Sequence, residues 1–326
     1  MKNHLAITKN LINITKTILD DKNNCKYQFY LPSFLFRIEQ MAVDSRQVVI
    51  LYYENIFLEI QAFYCLIKRS NNKNKCLFIV DGGLLYEILK IKFHNERTHI
   101  CKSKDIHIQK FSLFDEIVIL CDLHLENLLY IKSKNGNISF LTNKKEYINY
   151  FPDSMIFELD ALFLPPFEIF DFARQFVSDN LRWNNKDFLN RLKQKNSGAD
   201  KPIVHEVNSF EEEIEIISEI INENPTSNIV IALPFGKDEN NFDLSVETYY
   251  QILRKNTSLT KYYSGVTIFN LSNIIITTFD EIKYIRFDIL IIPQFNKIKE
   301  IVNNEKIFIS ICSAENIKTT IFKTNS

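Results

Sequence analysis

Glycine is scarce in this chain: there are six among 326 residues, and the first is Gly82. A loop that wraps a phosphate with its backbone amides needs small residues, with a lysine and a hydroxyl to complete the site. The segment after the first strongly apolar run, from Tyr52 to Ile60, offers bulky and acidic side chains instead, which excludes ordinary nucleotide binding at that turn. The six cysteines, at 25, 65, 76, 101, 121 and 312, include no C-x-x-C pair and outline no compact disulfide scaffold. With no signal-like start, that cysteine usage sets the expectation of a reducing cytoplasm. No apolar run is long and unbroken enough to cross a bilayer. Charge of either sign is missing in excess, with 39 basic against 40 acidic residues. That balance argues against a generic nucleic-acid coat or a polybasic membrane binder, although a local basic groove needs no net charge.

What is present is a repeated alternation of short apolar runs with longer amphipathic ones. Gln47 to Leu51, Lys75 to Val80, Ile117 to Leu120 and Ile138 to Leu141 read as buried strands, with helices expected over Glu54 to Lys68 and Leu84 to Lys92. Asp81-Gly82-Gly83 is a tight turn between strand and helix. Phe167 to Val177 has helical spacing, with Ile169, Phe172, Ala173 and Phe176 on one side. The second half repeats the grammar. Strands are expected at Glu206-Val207, Asn228 to Pro234, Val266 to Phe269, Asn273 to Thr277, Phe287 to Ile292 and Lys306 to Ile311. Helices are expected over Phe210 to Ile221, with Ser209 and Glu212 as a capping box, and over Ser245 to Leu253. The implied class is α/β with parallel sheets covered on both faces. The expected organisation is a small N-terminal helical element (1–44), a first domain (45–178), a connector (179–203) and a second domain (204–326).

Several partial motifs follow this framework in order. Leu120-Cys-Asp-Leu123, with His124 beyond it, ends the strand that begins near Phe114; Leu141-Thr-Asn-Lys-Lys-Glu-Tyr147 ends the next; Glu158 to Ala173 joins a strand to a helix. In the second half come Thr277-Thr-Phe-Asp-Glu-Ile-Lys-Tyr-Ile-Arg-Phe-Asp288 and Phe308-Ile-Ser-Ile-Cys-Ser-Ala314. In this order they resemble the core of superfamily 1 helicases of the UvrD/Rep type, over roughly residues 35 to 316. The resemblance implies two RecA-like parallel-sheet domains, ATP bound between them and nucleic acid across them, in a form stripped of the large insertions.

The residues that would perform the chemistry differ at every motif. No Gly-Lys-Thr stands near Tyr52 to Leu58. Asp122 alone represents the Asp-Glu-x-Gln motif, and Asn143 and Glu146 stand where Asp and Gln are expected. Leu164 replaces an arginine. Thr278, Lys283, Phe287 and Asp288 match the fifth motif, but Asp280, Tyr284 and Arg286 replace His, Gly and Glu. Cys312 and Ser313 stand where Thr and Arg close the pattern. One carboxylate and no phosphate lysine do not reproduce magnesium-assisted hydrolysis. The expectation is therefore a catalytically inactive helicase-like protein, with no cofactor, that serves as a binding or scaffold subunit for a protein partner, within nucleic-acid processing or antiviral defence.

Two other readings stand beside it. One is a nucleic-acid binding module for single-stranded DNA or RNA, with Lys144, Lys145, Lys283 and Arg286 on phosphates and Phe279 or Tyr284 stacking on bases. The other is an unconventional ATP-dependent helicase. His94, His99, Cys101 and His107 lack the spacing of a structural zinc site and read as scattered residues. Cys121 and His124 beside Asp122 invite a thiol reading, against which stands a buried cysteine and a loop histidine.

Overall fold

The structure, a computed structural model, describes residues 48–52, 75–93, 97–158, 166–177, 186, 189–190, 193, 200–237, 242–264, 266, 269–283 and 285–322. Strands β1 (Val48–Tyr52), β2 (Cys76–Val80), β3 (Thr98–Lys102), β4 (Glu116–Ile119), β5 (Ile138–Thr142) and β6 (Met155–Glu158) form a six-stranded sheet in the order β3-β2-β4-β5-β1-β6. The ladders β2–β4, β4–β5, β5–β1 and β1–β6 are parallel. Every residue of β2, β4 and β5 is buried. Burial on both faces is why these strands read as unbroken apolar runs rather than as alternation. Helix α1 (Gly83–Phe93) follows β2, α2 (Leu125–Lys134) follows β4, and α3 (Lys145–Ile148) follows β5.

A second six-stranded sheet takes the order β7-β12-β11-β8-β10-β9, and all of its ladders are parallel. Its strands are β7 (Ile203–Val207), β8 (Ile229–Leu233), β9 (Thr260–Tyr262), β10 (Ile274–Thr278), β11 (Phe287–Ile292) and β12 (Ala314–Phe322). Helix α4 (Phe167–Ala173) precedes this sheet; α5 (Phe210–Glu223), α6 (Val246–Leu253), α7 (Phe295–Ile301) and α8 (Asn304–Cys312) connect its strands. One core joins α5 and α6 to the sheet through Ile217, Ile220, Ile221, Tyr249 and Leu253 against Ile231, Ile276 and Ile291. By internal contacts the chain divides into two compact units, Met1–Ile79 with Ile106–Phe163, and Val80–Asp105 with Leu164–Ser326. The segment carrying α1 and β3 therefore groups with the second unit.

The α/β class with parallel sheets is as expected, and two local readings are corrected. Lys306 to Ile311, read as a strand, lies inside helix α8, whose N-cap Asn303 accepts a hydrogen bond from the Glu305 amide at 2.8 Å. Ile307, Phe308, Ile311 and Cys312 are all buried on one helical stripe, and the closing strand begins only at Ala314. A short apolar run fits both periods, and here flanking structure decided for the helix. Val266 and Phe269 lie in no strand; the strand of that region is the earlier β9.

The cap of α5 forms with one change of partner. Ser209 accepts from the Glu212 amide at 3.2 Å, but the Glu212 carboxylate reaches back one residue further, to the amide of Asn208 at 2.6 Å. The expected element over 1–44, the helix over Glu54 to Lys68 and nearly all of the connector lie outside the described residues.

Candidate functional site

In open parallel sheets, ligands enter at the carboxyl ends of the strands, where neighbouring connections part in opposite directions. In the first sheet β1 runs on towards β2 on one side, while its neighbour β5 runs on to β6 on the other. The residues leaving β5 and its other neighbour β4 adjoin that point, and those leaving β1 lie outside the described residues. Asp122 follows β4, and Lys144 follows β5. The Lys144 ammonium donates to both oxygens of Asp122, at 3.1 and 3.0 Å, and to the Tyr147 hydroxyl at 3.3 Å. It also lies 5.0 Å from the centre of the Tyr147 ring. The hydrogen bond to Asp122 holds this ammonium above the usual lysine range, against a smaller opposing effect of burial. A backbone tie from the Lys144 amide to the Thr142 hydroxyl, at 3.1 Å, fixes the start of the turn.

The pair is exposed: 58% of the Asp122 side chain and 32% of the Lys144 side chain remain accessible. Such a pair contributes no more than about 1 kcal/mol to stability. Its chemical effect lies elsewhere, since it puts a positive charge on the one carboxylate of the motif that resembles a magnesium-binding stretch.

Of the other residues singled out for nucleic acid, Lys145 is exposed at the start of α3, and Lys283 and Arg286 are partly exposed between β10 and β11. Phe279 is buried, at 4% exposure, in the turn after β10, so its ring packs inside the protein and presents no stacking face. Tyr284 and Leu164 lie outside the described residues. In the second unit Asp288 is used structurally, accepting from the Asn228 amide at 2.7 Å. Asp280 pairs with Lys306 of α8.

Cys121 is buried, and its thiol points to the Ile79 carbonyl at 3.7 Å, while His124 is exposed at the start of α2. Cys101 is buried on β3, where burial first and Asp105 second push its thiol up to about 12. The His107 ring packs against that of Tyr130, tilted by 50° with centroids 5.2 Å apart, and His94 is outside the described residues. We expect Cys101, Cys121 and Cys312 to resist alkylation by iodoacetamide at neutral pH in the native state and to react once urea is added. Peptide mass spectrometry checks this, and rapid native labelling of Cys121 would restore the thiol reading.

Sequence reasoning missed a second polar centre, at the carboxyl end of the second sheet. There β8 leads towards β9 and β10, and its neighbour β11 leads the other way to β12. Gln294, just beyond β11, spans the two connections: its side-chain amide donates to the Asp243 carbonyl at 2.9 Å and to the Tyr249 hydroxyl at 3.3 Å. Its backbone is left-handed, with φ 43°. The Gln294 amide and the Thr320 hydroxyl both meet one oxygen of Glu213, and the Tyr249 hydroxyl meets the other at 2.6 Å. Glu213, Tyr249, Gln294 and Thr320 all have 0% exposure. Burial, then the Glu213 charge, drives the Tyr249 phenol well above its usual value. The crevice where a ligand would enter this sheet is thus occupied by the chain's own side chains.

No protein family and no curated protein matches this sequence. Solved structures do resemble it. The C-terminal domain of a possible DNA helicase from Lactobacillus plantarum is 15% identical over 51% of this chain and 91% of its own length, with a TM-score of 0.35. S. cerevisiae Dbp5 bound to RNA and ADP BeF3 is 8% identical over 90% of this chain and 84% of its own, with a TM-score of 0.42. The helicase MrfA bound to DNA is 9% identical over 89% of this chain, which spans 48% of MrfA's length, with a TM-score of 0.43. These neighbours are helicases, and the likeness is one of fold. Among the described residues no helix is long and apolar enough to cross a membrane.

Proposed function

We propose that this chain is a helicase-like protein that works by binding and does not turn over nucleoside triphosphate. The carrying observation is the Lys144 ammonium seated on both oxygens of Asp122 at the carboxyl ends of β4 and β5. Magnesium-assisted phosphoryl transfer needs carboxylates free to hold the metal and cations placed on the phosphates. Here the single carboxylate carries a counter-charge, and no lysine or hydroxyl follows the first strand in the pattern that cradles phosphates. A divalent cation approaching Asp122 would first have to displace the ammonium and would then lack a second anionic ligand from that motif. A protein with such a centre acts through its surfaces, as a scaffold or subunit for another protein.

Calorimetric titration with ATP and magnesium is expected to show no saturable heat, and purified protein no phosphate release. Lys144→Ala, which frees Asp122, is expected to leave both results unchanged, because the phosphate cradle is still missing. Saturable binding with turnover that Asp122→Asn abolishes would overturn the reading.

A second reading, single-stranded nucleic-acid binding, draws support from exposed Lys145 and partly exposed Lys283 and Arg286. The engagement of Lys144 by Asp122 lowers its availability to phosphate. Low-salt filter binding with DNA and RNA oligonucleotides tests it, the expected sign being weakening by Lys145→Glu and Arg286→Glu and a steep loss with added salt.

A further inference from the structure

We infer that Asn135 is a site of spontaneous deamidation, which the fold holds off while a side-chain clamp is closed and which, once a chain has opened, keeps that clamp from closing again. Asn135-Gly136 is the only Asn-Gly in the chain. Glycine has no side chain to shield its own amide nitrogen, and it gives the backbone freedom to bring that nitrogen onto the preceding side chain. Water is the only co-reactant, and the site owes nothing to the binding role proposed above.

In the reaction the Gly136 nitrogen attacks Cγ of Asn135 and forms an N–Cγ bond. The Cγ–Nδ2 bond breaks, and Nδ2 leaves as ammonia with the proton that the Gly136 amide gives up. Water then opens the cyclic imide. Cleavage of the new N–Cγ bond leaves an aspartate; cleavage of the original peptide bond leaves an isoaspartyl linkage, in which the chain runs through the former side chain.

Three hydrogen bonds restrain the reacting group. Asn135 Nδ2 donates to the Phe111 carbonyl at 3.1 Å and to the Phe114 carbonyl at 2.8 Å, and Oδ1 accepts from the Asn137 amide at 2.9 Å. Addition at Cγ makes that carbon tetrahedral and swings Nδ2 out of the plane in which it meets both carbonyls, so the clamp has to open first. Buried Asn137 extends the clamp. Its side chain donates to the Asp115 carbonyl at 2.8 Å, and its carbonyl accepts from the Ile117 amide at 3.0 Å. Two asparagines thus staple the residues leading into β4 to those leading into β5, a strand paired on both sides with β4 and β1. All of these residues belong to the first compact unit.

The products cannot restore the clamp. A carboxylate at position 135 has no hydrogen to give, so the Phe111 and Phe114 carbonyls lose their donor and face an anion. The Asp115 carboxylate, which accepts from the Lys75 amide at 2.8 Å, already places one negative charge in that turn. The isoaspartyl form also adds a carbon to the backbone just ahead of β5. Deamidation therefore marks chains that have opened here and leaves native ones unmarked.

Native and urea-unfolded samples of the full chain, aged side by side in mildly alkaline buffer made with heavy-oxygen water, test this by peptide mass spectrometry. In urea the peptide carrying Asn135 is expected to take up heavy oxygen and to separate into aspartyl and isoaspartyl forms, ahead of the peptide carrying Asn208, which precedes Ser209. Gly136→Ala should slow that conversion; Gly136 is not among the glycines with positive φ, so alanine meets no left-handed backbone there. In the native sample conversion should be at least about tenfold slower, the factor given by an opening that breaks one or two net hydrogen bonds. When the urea is removed, converted chains should be depleted from the folded peak in size-exclusion chromatography. Asn135→Asp should lower the urea midpoint with an unchanged slope; should that variant not fold, the sorting of wild-type chains decides alone. Conversion as fast in the native sample as in urea, none in urea, converted chains that refold as fully as unconverted ones, or an Asn135→Asp midpoint equal to wild type would each overturn the proposal.

Discussion

Glu213→Ala is expected to lower folding stability by about 3–5 kcal/mol, the range for breaking a buried charged network from one side. The reason is arithmetic on hydrogen bonds rather than lost packing. The Gln294 amide, the Thr320 hydroxyl and the Tyr249 hydroxyl all end on this carboxylate, and all are buried. Each buried donor left without an acceptor costs about 1–3 kcal/mol. Urea unfolding should show a lower midpoint with an unchanged slope, which marks a change in stability alone. Glu213→Gln should cost less, because its amide oxygen keeps part of the network. Tyr249→Phe combined with Glu213→Ala should cost less than the two separate losses added, since both act on one bond. An Ala variant with a native midpoint would show that the centre is not a stabilising network at all.

Gly83→Ala is expected to cost about 2–3 kcal/mol. Gly83 sits at φ +69°, in the left-handed region, where a side chain costs about 1–2 kcal/mol. A methyl group there would also run into the Glu281 carboxylate. That carboxylate accepts from the Leu84 amide at 2.8 Å, satisfying a free donor in the first turn of α1; displacing it forfeits a further ~1 kcal/mol. Both residues belong to the second compact unit. Burial first, and Asp280 among the remaining causes, raise the Glu281 carboxyl above its usual value. Thermal unfolding of four proteins separates the contributions: in a Glu281→Ala background, Gly83→Ala should retain only its backbone cost. Equal losses in both backgrounds would show that the collision plays no part.

The strands that are apolar from end to end were legible because two-sided burial leaves no other pattern. β2, β8 and β11 fall within a residue or two of where the runs stop and start. The Gly82-Gly83 turn was legible for a stereochemical reason, and both glycines have positive φ. Helix α8 was not, because its apolar stripe is compressed into a run of nearly continuous Ile and Phe. β9 escaped notice because only three residues pair, with a lysine in the middle.

The polar centres were illegible for a different reason: they join residues far apart in sequence. Glu213 stands in a run with Glu211 and Glu212, and helical periodicity assigns that run to the acidic surface. Only the fold shows that the third carboxylate turns inward to meet Gln294 and Thr320. Asp122 was recognised on its own, and Lys144 was assigned to a different role. Nothing in the sequence pairs them, because their 22-residue separation becomes contact only when β4 and β5 lie side by side.

The place of β1 in its sheet bears on how the protein is made. That strand lies between β5 and β6, pairing Val48 with Ile138 and Val49 with Met155. During translation it leaves the ribosome long before either neighbour exists. At ordinary elongation rates of about 5–20 residues per second, the wait for β5 lasts roughly 4 to 17 seconds. Through that interval a strand destined for the interior has both edges open, which makes the nascent chain a natural client for chaperones and ties its yield in cells to the speed of synthesis.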